Sequence, residues 1–418
     1  MKRPLIFLLF LLISFSLFAT GAPDLTVVSG RNDIINGIVL AAFHQRYPGV
    51  TVEFLLPNLE SGSTVTMDSR QMAGDETHVY ADFMGRVGRY ATPDLALDFN
   101  KYMTDQDDFN DGALDPVTVD GKLLALPLTG GGQGMCVNLA MLEDIGYSEF
   151  DFEDWTLIEF YEMAEVVKQK YGGDKWITGI FFGNRSGDYL WMNWVSTFGA
   201  EMYHAGDYSQ TVINSPAGRK TFAFWLTLRD MGYVRKDVAI AVDDDFLADF
   251  GMGNYLMAPF YPSWVAIYQN AANEQGIKDA YFPYKFVEFP RARGVNKVPA
   301  AGSMAGVTAF QNDDPLIEEQ SAYLAWLYTS PAIQEIGVEL GSYPTRKSIT
   351  FVNDTPTWRQ LSKIVRDNGM LDLGLTQSWF SDVRSEAFPR VQKMLNGEMT
   401  PAQAVADYAA AVNAILQK

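Results

Sequence analysis

Short apolar runs alternate with helical stripes along most of the chain. Residues 24–29 form a compact β-rich run, and Val50-Thr51-Val52-Glu53-Phe54 alternates apolar with polar, as a half-buried strand does. Between them Ile35, Val39, Ala42 and Phe43 recur at helical spacing, and Pro48-Gly49 stops that helix. A strand, a helix and a strand with short connections predict a βαβ unit and therefore a parallel sheet. Further on, Thr156-x-x-Glu159 is a capping box opening a helix striped by Leu157, Phe160, Tyr161, Ala164 and Val167, which Gly172-Gly173 ends. Ser215-Pro216, Ser330-Pro331 and Thr400-Pro401 each read as an N-cap followed by proline at the first helical position. Residues 316–340 and 379–416 are predicted to be mostly helical. The fold class is thus α/β throughout. The glycines of Leu128-Thr129-Gly130-Gly131-Gly132-Gln133-Gly134 mark the predicted hinge.

The first 21 residues stand apart from this pattern. Lys2 and Arg3 precede an apolar run over 5–18, which is short for a bilayer of roughly 30 Å but suits a signal-peptide core. Ala19-Thr20-Gly21 supplies small residues, so cleavage is expected after Gly21 and residues 1–21 are read as a signal peptide. The mature protein is then periplasmic or extracellular.

Composition narrows the function. The chain has 418 residues, long enough for two or three domains and a sizeable core. Its 51 acidic against 32 basic residues leave a net charge of −19, which argues against nucleic acid or an anionic membrane surface as partner. The single cysteine, Cys136, excludes an internal disulfide framework; flanked by Met135 and Val137, it reads as an inert core residue. His44, His78 and His204 are scattered, so no metal site or cofactor is expected.

Catalytic motifs fail on inspection. The segment 107–118 has Gly112 where a calcium loop turns, but Phe109 and Thr118 stand where ligands belong. Gly302-Ser303-Met304-Ala305-Gly306 places its serine one position early for a nucleophile elbow. Asp243-Asp244-Asp245 reads as a solvated acidic helix start. Asn184-Arg185-Ser186 and Asn353-Asp354-Thr355 match a glycosylation sequon.

The order of segments resembles the maltose- and oligosaccharide-binding family of extracellular solute-binding proteins that serve ABC importers. Phe43-His44-Gln45-Arg46-Tyr47-Pro48-Gly49-Val50-Thr51-Val52 is similar to that family's first helix and strand. Asp120-Gly121-Lys122-Leu123-Leu124-Ala125-Leu126-Pro127 with Val137-Asn138 is similar to its "G-K-x-Y-A-x-P … Y-N" stretch. Phe250-Gly251-Met252-Gly253-Asn254-Tyr255-Leu256-Met257 and Pro262-Ser263-Trp264 resemble "F-x-x-G-x-x-A-M … G-x-W", and Tyr343-Pro344-Thr345-Arg346 resembles the late "P-x-R". The chain departs from the pattern at Thr77-His78-Val79, and Asp82 falls where an aromatic is common. The resemblance implies a two-lobed periplasmic-binding-protein fold with a hinge and an interlobe ligand cleft. Residues 22–130 with 290–335 are assigned to the first lobe, and 131–289 with 336–418 to the second. It further implies a monomer that is not an enzyme, a carbohydrate ligand, closure on binding, and delivery to the transmembrane permease.

A pyranose offers an apolar face to an aromatic ring and a hydroxyl rim to polar side chains. Trp264 is the first candidate platform, because the resemblance puts it at the family's stacking position. Tyr189, Trp191 and Trp379 follow, with Trp194 assigned to core packing. On the first lobe, Arg31 and Asn32 end the first strand, where ligands bind in open α/β sheets. Asp82 and Arg86 follow a later strand-like run, and Ser303 is a further candidate contact. Two alternatives stay open: the same fold holding a polyol, polyamine or phosphorylated polyol, and a secreted glycoside hydrolase with paired carboxylates.

Overall fold

Leu25–Ser29 (β1), the helix Asp33–Arg46 and Val52–Leu55 (β2) form the βαβ unit expected from the periodicity, with β1 and β2 parallel and Leu25 beside Val52. The computed structural model describes residues 24–30, 33–56, 62–183, 188–204, 206–261, 265, 282–339, 342–349 and 356–418. Val79–Phe83 (β3) pairs parallel to the other edge of β1. Flanked on both sides, β1 buries every residue, which is why it reads as a continuous apolar run rather than an alternation. His78, at the entry to β3, accepts a hydrogen bond on Nδ1 from the Thr26 amide at 2.9 Å. Burial lowers its pKa and so favours the neutral ring this bond requires.

The chain continues through Leu126–Gly132 (β4), Gly134–Asn138 (β5), Met257–Phe260 (β6), Tyr284–Val287 (β7), Gly302–Ala309 (β8) and Tyr343–Pro344 (β9). One sheet has the order β9-β4-β8-β3-β1-β2, with β8 antiparallel to both β3 and β4. A second sheet has the order β6-β5-β7, all antiparallel, and Thr118–Val119 pairs with Lys122–Leu123 in a small hairpin of its own. The two larger sheets each organise their own core. Val27, Val39, Phe43, Tyr80, Val307, Leu324 and Tyr328 pack around the first sheet. Phe246, Phe250, Phe260, Phe286 and Leu361 pack against the second, beside a larger core built on Phe160, Trp194, Trp225, Val391 and Tyr408. The molecule is therefore two-lobed.

The predicted helix signals are used as such. Thr156 and Glu159 close their capping box, and Gly172 ends the helix Leu157–Tyr171 with φ +62°. Ser215 accepts from the Gly218 amide at 3.0 Å. The stretch expected over 316–340 breaks into Pro315–Tyr328 and Pro331–Glu339, because Ser330-Pro331 starts a new helix where Thr329 closes the old one. The C-terminal stretch likewise resolves into Phe380–Ser385, Ala387–Leu395 and Pro401–Leu416.

The chain passes from β4 to β5, and so from one sheet to the other, through Gln133 alone. It returns at Ala301–Gly302, beside the first passage: the Gln133 amide donates to the Ala301 carbonyl at 3.0 Å, and Gly132 pairs with Gly302. β9 lies on the first sheet, whereas Leu361 and Ile364 of the helix Pro356–Asn368 pack in the core beneath the second. The third passage therefore falls after Pro344.

Candidate functional site

The carboxyl ends of β1, β3 and β4 and the amino end of β8 share one edge of the first sheet. That edge carries the chain crossings and faces the second lobe. Gly30, the residue after β1, comes so close to Asp82 that an added Cβ would lie 2.7 Å from its Oδ1. The Asp82 carboxylate is buried; it accepts from the Phe83 amide at 2.6 Å, from Arg86 Nη1 at 3.2 Å and from the Tyr80 hydroxyl at 3.4 Å. Arg86 sits in the one-turn helix Met84–Val87 with its side chain 26% exposed, so the pair presents a polar rim held from below.

Opposite stands the start of the helix Phe380–Ser385. Trp379, half-buried, is wedged between Tyr203 and Tyr208, with ring centroids 5.3 and 5.4 Å away. The Tyr208 hydroxyl donates to Asp372 at 2.9 Å, and the two backbone amides of Gly206 and Gly374 also donate to that carboxylate. The indole is therefore a fixed surface rather than a free side chain.

The crossings close the third side. Gly131 has Tyr261 and Tyr343 on its flanks, at 3.9 and 4.0 Å from where a Cβ would stand. The Tyr343 and Ser362 hydroxyls meet at 2.9 Å, linking β9 to the helix Pro356–Asn368. Buried Asn193 donates to the Gln133 side chain and accepts from the Ala301 amide at 2.8 Å, so one side chain bonds both passages. None of the glycines at 130–134 has a positive φ. Their part here is close approach: a Cβ on Gly132 would lie 2.4 Å from Val365 Cγ2.

Asp82 and Arg86 thus come to the first lobe's edge, and Trp379 comes to the start of the helix that meets it, its ring packed against Tyr203 and Tyr208 of its own lobe. Trp191 does not: it is 1% exposed and packs edge-on against Trp225 and Phe388, in the second lobe's core rather than on a cleft wall. Trp194 is fully buried against Phe160 and Phe224. The backbone of Tyr189 belongs to the short helix Asp188–Trp191, and Ser303 pairs with Gly131 in the sheet. Arg31, Asn32 and Trp264 lie outside the described residues, as do Asn184 and Asn353. Phe83, Phe380 and Tyr261 carry no sequence signal of a site, and Tyr343 enters only as the first residue of the "P-x-R" segment. Their aromatic character is no different from that of the many core aromatics, and only the crossings bring them to the edge.

Cys136 is enclosed in β5, and burial pushes its thiol well above the ordinary range. A thiol-specific reagent is expected to leave the native protein unmodified and to titrate one thiol after denaturation. Rapid labelling of the folded protein would contradict this placement. Asp243, Asp244 and Asp245 occupy the first turn of the helix Asp243–Gly251, as an acidic start should. Among the described residues no group of three or more His, Cys, Asp or Glu side chains is placed to hold a metal ion.

A family model described as "Bacterial extracellular solute-binding protein" matches residues 39–363. Among solved structures, an ABC transporter solute-binding protein from Thermotoga lettingae TMO bound with alpha-D-tagatose superposes with a TM-score of 0.78 at 19% identity, covering 94% of this chain and 100% of that one. The GacH receptor of Streptomyces glaucescens GLA.O, solved unliganded and with acarbose, gives 0.75 at 14% identity over 94% and 98% of the two chains. The maltose-bound MalE3 of T. maritima gives 0.73 at 19% identity over 94% and 99%. At these identities the likeness establishes a shared fold. No curated protein matches in sequence.

Proposed function

The chain belongs to the bacterial extracellular solute-binding proteins, and from that premise we propose that it captures a carbohydrate between its lobes and delivers it to the permease of an ABC importer. The observation that carries the reading is the buried Asp82–Arg86 pair on the first lobe's edge beside the helix of the second lobe that Trp379 opens; in this reading the Trp379 indole, fixed by Tyr203 and Tyr208, is the opposite wall. A polar rim suits sugar hydroxyls, and an immobilised aromatic suits the apolar ring face. The ligands named for the structural neighbours, tagatose, acarbose and maltose, are of the same chemistry. Trp264 joins this set on the family resemblance. Binding would select the closed arrangement of the lobes, with bending at residues 128–134, because only closure lets one ligand touch both edges. The protein would act as an exported monomer, freed of residues 1–21, and would break no bond.

The test is a thermal-shift screen of sugars, polyols and polyamines, followed by scattering with the best ligand. A ligand at 100 times its dissociation constant adds about 2.7 kcal/mol of stability. Stabilisation by sugars with a smaller radius of gyration is the expected result. Stabilisation by polyamines alone, or turnover of a bound glycoside, would replace this reading. Amino-terminal sequencing of exported protein should begin at Ala22 or a near neighbour.

A further inference from the structure

The first two passages between the lobes lie side by side. Gly132 ends β4 and pairs with Gly302 at the start of β8, so both belong to the first sheet. Gly134 already pairs with Phe260 in the second sheet, and Ala300 is already bonded to Gly369 and Leu371 of the second lobe. Only Gln133 on one passage and Ala301 on the other stand between these anchored residues, and the Gln133 amide donates to the Ala301 carbonyl at 3.0 Å. The third passage differs. Thr345, Arg346 and Ser348 are still bonded to Pro127, Asp105 and Asp108 of the first lobe, so it begins only beyond Ser348.

Asn193 decides to which lobe Gln133 and Ala301 belong. It opens the helix Asn193–Thr197, whose Trp194 and Val195 are sealed in the second lobe's core. Its fully buried side chain donates to the Gln133 side chain and accepts from the Ala301 amide at 2.8 Å. Gln133 Nε2 has no partner among the described residues, so that side chain is held through Oε1. Three residues on, the Ser196 hydroxyl donates to the Pro299 carbonyl at 2.7 Å and holds the approach to the second passage. On the first-lobe side of this clamp both passages carry glycine. A Cβ on Gly302 would run into the Met370 methyl, and one on Gly132 into Val365. Glycine also gives the backbone its widest freedom at these two positions.

We infer that Asn193 is a positioning residue for closure: it fixes Gln133 and Ala301 to the second lobe, so that these two passages bend only at the Gly132–Gln133 and Ala301–Gly302 links. The inference rests on the lobe closure proposed above and not on the class of ligand. Two adjacent links bonded to each other define one axis. A turn about it opens the contact of residues 83–89 with 376–384, where the Ser381 hydroxyl donates to the Gly85 carbonyl at 2.8 Å and the Thr376 carbonyl presses against Gly88. Without Asn193 the φ and ψ of Gln133 and Ala301 join the soft torsions, and the lobes no longer turn about a single axis.

The experiment measures the distance between nitroxide labels on Met72→Cys of the first lobe and Ile158→Cys of the second, both exposed, by pulsed dipolar spectroscopy without ligand. Cys136 is buried and stays unlabelled. Asn193→Ala should widen the distance distribution to roughly one and a half times that of the doubly labelled parent, and Gln133→Met, which frees one passage only, should widen it less. Val195→Ala opens a cavity in the core beneath the same helix without touching either passage; it should lower the Tm and leave the width unchanged. An unchanged width in Asn193→Ala, or an equal widening in Val195→Ala, overturns the clamp. Should Asn193→Ala not fold, an unchanged width in Gln133→Met overturns it as well. Failure of closure itself shows separately, as an unchanged radius of gyration with saturating ligand.

Discussion

Replacing Arg346 with methionine should destabilise the protein by about 3 kcal/mol, the lower end of what breaking a buried charge pair costs. The guanidinium is 2% exposed as a residue and lies across Phe109, 4.4 Å from the ring centroid. It bonds Asp105 at 2.7 Å, Asp108 at 3.1 Å and the backbone carbonyl and hydroxyl of Thr329. Removing it leaves two carboxylates side by side and a buried carbonyl without its donor. Both carboxylates keep partial contact with water, which is why the lower figure applies. The Asp108 carboxyl feels desolvation, which raises its pKa, but hydrogen bonds from Ser348 and Arg346 outweigh it and hold the pKa below the ordinary value. A depressed pKa contributes stability that is present above the unfolded value near 3.9 and is lost as pH falls through the folded one. Denaturant midpoints at pH 7 and in the acid range below about pH 4 check both parts. The wild type should lose stability across that acid window and the variant should lose less of it. Equal midpoints at pH 7 would mean that the network is replaceable by solvent.

Gly85→Ala should weaken binding of the preferred sugar by about 5- to 150-fold. The added methyl collides with the Phe380 ring at 2.4 Å and with Phe83 Cε1 at 2.7 Å, and neither ring has a flexible end to swing away. Overpacking of this kind costs about 1–3 kcal/mol, and under the proposed closure mechanism it falls on the arrangement in which residues 83–89 and 376–384 touch. The apparent dissociation constant then rises as the closed fraction falls. Calorimetry reads the affinity, and scattering should show less compaction at saturation. Wild-type affinity in this variant would show that closure does not require residues 83–89 to touch 376–384.

The parts of this molecule legible in the chain were those written by local chemistry. The first βαβ unit follows from the spacing of Ile35, Val39 and Phe43 between two β-rich runs, and the capping box at Thr156 from two side chains three residues apart. Ser330-Pro331 was readable as a helix start, and the structure adds that it also ends the helix before it. Cys136 between Met135 and Val137 reads as core and is core. The family resemblance carried the two-lobed fold, because the order of many loose motifs survives where each alone is weak.

Aromatic residues mark the limit of such reading. Trp191 and Trp379 were equally plausible platforms from the sequence, yet one is sealed against Trp225 and the other is only half-buried, between Tyr203 and Tyr208. An indole's environment is set by elements distant in sequence: for Trp191 the helices carrying Trp225 and Phe388, for Trp379 the loop of Tyr203 and Tyr208. The glycines show the same division. Their run at 130–134 announced a special backbone, but the reason for Gly132 lies in Val365, more than two hundred residues on. Gly85 and Gly88 drew no notice at all, because nothing near them in the chain reveals that Phe380 and Thr376 will press against them. Local periodicity and capping are short-range and survive in one sequence. Which faces meet across the cleft depends on how two separately packed cores are set against each other, and that is decided only when the chain has crossed between them.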